Sequence, residues 1–85
     1  MKKLAIISII LDHPDSCQQQ FNSTVAGFKG MVKGRMGIRI TDEISTIAIT
    51  VIGQLDDINA LTGKLGNIPG VMVNASIFKK EMTDE

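Results

Sequence analysis

Few residues in this chain have types and spacings that could do chemistry. His13 and Cys17 stand four apart across a helix start, so both side chains could face one metal ion. Two ligands do not make a site, and a symmetric oligomer would have to supply the rest. The chain holds one cysteine and one histidine in 85 residues. That excludes an intrachain disulfide and any Cys-rich zinc or iron–sulfur site within one chain. Cys17 also continues an apolar stripe toward Phe21, and His13 reads as a turn residue. This structural reading outweighs the metal one, so no metal and no cofactor are assigned. As a nucleophile Cys17 has only His13 to activate it, with no third group to orient the imidazole. The carboxylate pairs Asp42-Glu43 and Asp56-Asp57 fall in a turn and at a helix start, where capping accounts for them. Gly34 and Gly37 lack the spacing and the following helix of a phosphate loop. The chain is expected not to be an enzyme. The alternative is a small metal-handling protein or enzyme using His13 and Cys17.

Lys29, Lys33, Arg35 and Arg39 lie on one stretch and are the only feature that suggests nucleic acid. Formal net charge is zero and aromatics are 4% of the chain, with no Trp and no Tyr. The charge balance excludes bulk attraction to a polyanion, and the few aromatics argue against base-stacking platforms. The basic residues read instead as charge guarding an edge strand against stray pairing. No direct contact with nucleic acid is expected.

The elements that must position these residues follow from periodicity. Leu4 to Leu11 is a strand rich in β-branched residues. Pro14 suits the first turn of a helix, with Asp12, Asp15 and Ser16 as capping or first-turn residues. Cys17, Phe21, Val25 and Phe28 share one helix face. A second strand spans about Met31 to Ile40, where Gly34 and Gly37 hint at a bulge and Lys33, Arg35 and Arg39 point to solvent. Ile44 to Ile52 alternates as a third strand. A second helix starts near Asp56 and Asp57, carries Ile58, Leu61 and Leu65, and stops at Gly66-Asn67 before Pro69-Gly70. Val71 to Phe78 is the fourth strand, with Val71, Val73, Ala75 and Ile77 on one side.

The order βαββαβ contains a repeat of forty residues. Phe21 falls on Leu61, Val25 on Leu65, Gly30 on Gly70, and Ile7 and Ile9 on Ile47 and Ile49. Two interlocking β-α-β halves make an α+β ferredoxin-like sandwich. This is a four-stranded antiparallel sheet in the order 4-1-3-2 with both helices on one face. One such domain occupies residues 1–79, and residues 80–85 read as a charged, flexible C-terminal tail. Ala5, Ile7, Ile9 and Leu11 are assigned to the core. The helix-free face then shows Leu4, Ile6, Ile10, Ala48, Ile52, Met72 and Phe78. An apolar patch of this kind reads as a binding surface, most simply for a second copy of the chain. A homo-oligomer, dimer or tetramer, is therefore expected. Asp12, His13, Asp15 and Ser16, in the loop after the first strand, are the candidate residues for a small-molecule effector.

Lys2 and Lys3 ahead of an apolar run mimic the start of a signal peptide. The run ends in Asp12-His13-Pro14-Asp15 without a small-residue cleavage site. It is also too short to span a membrane. With a single cysteine, a cytoplasmic location is expected and no membrane partner.

The segment Ile58-Asn59-Ala60-Leu61-Thr62-Gly63-Lys64-Leu65-Gly66-Asn67-Ile68-Pro69-Gly70-Val71 resembles a stretch of the iron-only hydrogenase system regulator family, and Arg35-Met36-Gly37 is similar too. The resemblance covers nearly all of the chain. It implies an ACT-like domain, akin to the C-terminal domain of the nickel-responsive regulator, and hence an oligomeric regulatory or ligand-sensing protein with a role in transcription. That regulator builds its nickel site from several histidines and a cysteine, so nickel sensing is not implied for this chain. Gly63 and Gly66 leave part of the second helix bare, which suggests a close approach by another backbone. Each costs about 1 kcal/mol of helix stability relative to Ala.

Overall fold

The computed structural model describes residues 1–82. The elements in chain order are β1 (Lys2–Asp12), α1 (Pro14–Ala26), β2 (Val32–Arg39), β3 (Ile44–Gly53), α2 (Leu55–Gly66) and β4 (Val71–Met82). All strand pairs are antiparallel, and the sheet runs β2-β3-β1-β4, the expected 4-1-3-2 order read from the other edge. The fold is the α+β ferredoxin-like arrangement.

Helix formation follows the apolar stripes. In α1 the buried residues are Pro14, Cys17, Phe21 and Val25, and in α2 they are Ile58, Leu61 and Leu65. In α2, Asp56 and Asp57 occupy the first turn and Lys64 the last, so charge complements the helix dipole at both ends. The stripes close over Ala5, Ile7, Ile9 and Leu11 of β1 and Ile47, Ile49 and Val51 of β3, and among the described residues no polar side chain is buried with them. The core side chains therefore rest on burial of apolar surface, while the strand backbones beneath them are paired within the sheet.

One local expectation is corrected: β4 does not stop near Phe78. Lys79, Lys80, Glu81 and Met82 continue it, with Glu81 opposite Lys3 and Met82 opposite Lys2. The sequence there is charged because an edge strand faces water, not because it leaves the sheet. Thr83, Asp84 and Glu85 of the expected tail lie outside the described residues. Val71, Val73, Ala75 and Ile77 share one side as expected, the helix side, with Val71 buried and Ala75 and Ile77 exposed. Of the expected capping or first-turn residues, Asp15 and Ser16 lie in the first turn of α1, and the N-cap is His13, with no side-chain cap bond. A Cβ on Gly63 or Gly66 would meet nothing within 4 Å, so the bare side of α2 faces open space within the described chain. The bulge hinted at by Gly34 is present, as a register shift between Val32 and Gly34.

Candidate functional site

The cross-strand register sorts the helix-free face into rows. Met36, Ala48, Ser8 and Asn74 form one row across β2, β3, β1 and β4, and Ile38, Thr46, Ile10 and Met72 form the next. Each row crosses three strand spacings, about 14 Å. A third row holds Gly34, Thr50, Ile6 and Ser76, and Leu4 pairs with Ile52 beyond it. Ile6 and Ile10 are each 38% exposed, Met72 56% and Phe78 45%, whereas Leu4, Ala48 and Ile52 are half-buried. Six of the seven expected contact residues therefore share one face, and Phe78 is exposed beside the register shift between β1 and β4.

The face also gains Met36 and Ile38 on β2, 63% and 49% exposed. The sequence reading passed over them because it followed the basic residues of the opposite parity. The signal was available: if Lys33, Arg35 and Arg39 take one side of β2, Met36 and Ile38 must take the other. With small Ala48 and Ser8 in the middle of their row and longer side chains at both edges, the face is hollowed. The concavity measures about 500 Å³, and its lining includes Ser8, Ile10, Met36, Ile38, Thr46, Ala48, Met72 and Asn74.

The basic stretch is divided by the same register. Arg35 lies on the helix side, opposite Ile49. There its guanidinium sits 5.4 Å from the centre of the Phe21 ring and donates to Asn22 Oδ1 at 3.2 Å. Arg39 donates to the carbonyl of Asp42 at 3.3 Å. Two of the four cations thus brace the fold, and Lys29 and Lys33 are exposed.

The loop candidates are only partly brought together. His13 has left-handed backbone angles (φ 58°, ψ 67°), although a residue before proline favours an extended one. Backbone bonds hold it there: His13 N–H donates to Glu43 O at 2.7 Å, and Asp12 N–H to Gly70 O at 2.7 Å. The imidazole lies 3.0 Å from Asp12 Oδ1 through Nδ1 and 3.9 Å from Glu43 Oε1 through Nε2, all three side chains being largely in water. Asp15 and Ser16 are exposed on the first turn of α1, and none of the four lines the concavity.

Cys17 is buried, its thiol 3.9 Å from the carbonyl oxygens of both Asp12 and His13. Burial, and secondarily the Asp12 carboxylate, push that thiol above its ordinary pKa. It is therefore a poor nucleophile and a poor metal ligand at neutral pH. Among the described residues no group of three or more His, Cys, Asp or Glu side chains is placed to hold a metal ion, and no helix is long and apolar enough to cross a membrane.

Strand order, helix placement and an uncovered apolar face define a small ferredoxin-like α+β domain. The chain belongs to the TM1266-like family, whose description reads "Iron-only hydrogenase system regulator, putative" and which matches residues 3–75. Among solved structures it is similar to TM1266 from Thermotoga maritima, with 29% identity, a TM-score of 0.87, and 93% of this chain and 100% of that one covered. It is also similar to the C-terminal domain of the MgtC protein from Mycobacterium tuberculosis (11% identity, TM-score 0.71, 96% and 94% covered). A further match is SnoaB, a cofactor-independent oxygenase from Streptomyces nogalater (12% identity, TM-score 0.57, 98% and 97% covered). The last two likenesses show the fold alone. No curated protein matches the chain.

Proposed function

We propose that the protein is a non-enzymatic regulatory module that pairs with a second copy through the helix-free face of its sheet and responds to a small-molecule effector. The observation that carries this reading is the apolar face formed by Ile6, Ile10, Met36, Ile38 and Met72. Folding of the single chain leaves these side chains partly in water. Small domains bury a low fraction of their surface and gain most from sharing it. A two-fold contact sets the same patch against itself, so one apolar face serves both partners. No residue lining the concavity is a titratable group, which supports binding over acid–base chemistry. Membership of a family described as a regulator supports the same reading.

Sedimentation equilibrium of the full chain at micromolar concentration tests the pairing. The expected mass is a multiple of 9.2 kDa, returning to the single-chain value in Ile10→Asp, which places a charge on the face without touching the core. A clean monomer in the unsubstituted protein contradicts the reading.

A further inference from the structure

The concavity has a chemistry of its own. Its floor is the Ala48–Ser8 pair, where the two central strands present small side chains, and its walls are Met36 and Ile38 on one edge and Met72 on the other. Its volume, about 500 Å³, falls among pockets that hold small organic molecules. No charged residue lines it. Ser8, Thr46 and Asn74 supply two hydroxyls and a carboxamide, and none of these side chains has a hydrogen-bond partner among the described residues.

A second copy does not fill this hollow. In a two-fold contact centred on the concavity, Ala48 and Ser8 face Ala48 and Ser8 of the other copy. Hollow meets hollow, and short side chains cannot reach across. Pairing then encloses a void whose penalty grows with its volume, and it strips water from polar groups left without partners. An occupant that is apolar over most of its surface and carries one or two hydrogen-bonding groups removes both penalties. A charged occupant would be desolvated with no counter-charge to meet it.

We propose that this concavity is the effector site and that it takes an uncharged, largely apolar small molecule, gripped by Ile10, Met36, Ile38 and Met72 and oriented by Ser8, Thr46 and Asn74. The inference rests on pairing through the same face for closure of the site. It places the effector there instead of at Asp12, His13, Asp15 and Ser16. The two methionines, flexible and polarisable, let the walls fit the occupant.

The test uses Nile red, an uncharged apolar dye, titrated into the full chain by fluorescence, with amide shifts mapped by NMR and mass followed by sedimentation on the same samples. Saturable binding with blue-shifted emission is expected, with shift changes centred on Ser8, Ala48 and Asn74. Affinity should fall at least about tenfold in Ala48→Leu, which fills the floor, and in Asn74→Asp, which adds an unpaired charge. Asn74 is exposed on an edge strand, so Asn74→Asp carries the test should Ala48→Leu fail to fold. Absence of saturable binding, unchanged affinity in Asn74→Asp, or shifts centred elsewhere overturns the proposal. An oligomer that ignores the dye overturns the site and leaves the pairing intact. A monomer that binds it at Ser8 and Asn74 overturns the pairing and leaves the site.

Discussion

Within β1, Ile7 and Ile9 are 0% and 2% exposed beneath the helices, whereas Ile6 and Ile10 on the other side are each 38% exposed. Residue type and strand are the same, so β propensity does not separate them. What separates them is a cover: α1 and α2 close one face of the sheet and nothing in the described chain closes the other. Covering a large aliphatic side chain stabilises by about 1.5–3 kcal/mol. The fold of one chain accounts for the first pair of isoleucines and leaves the second pair partly in water, where the proposed pairing would cover them.

The contrast breaks or holds most visibly in a matched pair of truncations. Ile7→Ala should destabilise by about 2–5 kcal/mol, because it opens a cavity in a closed core. Ile10→Ala should cost about 0.5 kcal/mol in dilute protein, as a surface change does. Urea unfolding measures both, and equal losses would mean that the two faces are equally closed within one chain. Raising the protein concentration should enlarge the Ile10→Ala effect alone, since association stabilises only the folded partner.

A smaller effect probes how the closed face is anchored at its loop end. Gly70 has φ +86°, and a Cβ there would stand 2.8 Å from the carbonyl oxygen of Asp12. Gly70→Ala should therefore cost about 1–3 kcal/mol, read as a lowered melting temperature. Gly30, its counterpart forty residues earlier, has open space around it, so Gly30→Ala should be close to neutral.

Arg35 tests the rim of the same face. Losing its contact over Phe21 should cost about 0.5–1 kcal/mol in Arg35→Ala, the range of an exposed cation–π pair. Double-mutant cycles with Asn22→Ala would apportion it.

The smallest effect is alkaline. Because burial raises the Cys17 pKa when the chain folds, the folded state holds that proton to higher pH than the unfolded one. The stability this contributes is fully present below the ordinary value of 9.0 and is lost as pH rises through the raised one. Urea midpoints at about pH 8 and about pH 10 should diverge more in the unsubstituted protein than in Cys17→Ala.

The sequence carries the fold because its signals are local and mutually consistent. The stripes Cys17–Phe21–Val25 and Ile58–Leu61–Leu65 are the helix faces that the structure buries, and the forty-residue repeat gives the strand order. The length of β4 was not legible, because Lys79-Lys80-Glu81 looks like a tail until Lys2 and Lys3 lie opposite it. The left-handed turn at His13 was hidden for a similar reason: it depends on Glu43 and Gly70, which are distant in the chain. The apolar face was legible by parity on β1, β3 and β4. Met36 and Ile38 were lost because two glycines and three cations dominated the reading of β2. The hollow itself was not, since it arises only when Met36, Ala48, Ser8 and Asn74 fall into one row.

The central claim is that the helix-free face is covered in solution. Its most direct measurement is the relaxation of the Met36 and Met72 methyl groups by a neutral soluble paramagnetic agent, followed against protein concentration. The account predicts protection of both methyls at high concentration, lost on dilution and absent at every concentration in Ile10→Asp. Methyls that relax as fast at high concentration as at low, in the unsubstituted protein, would contradict it.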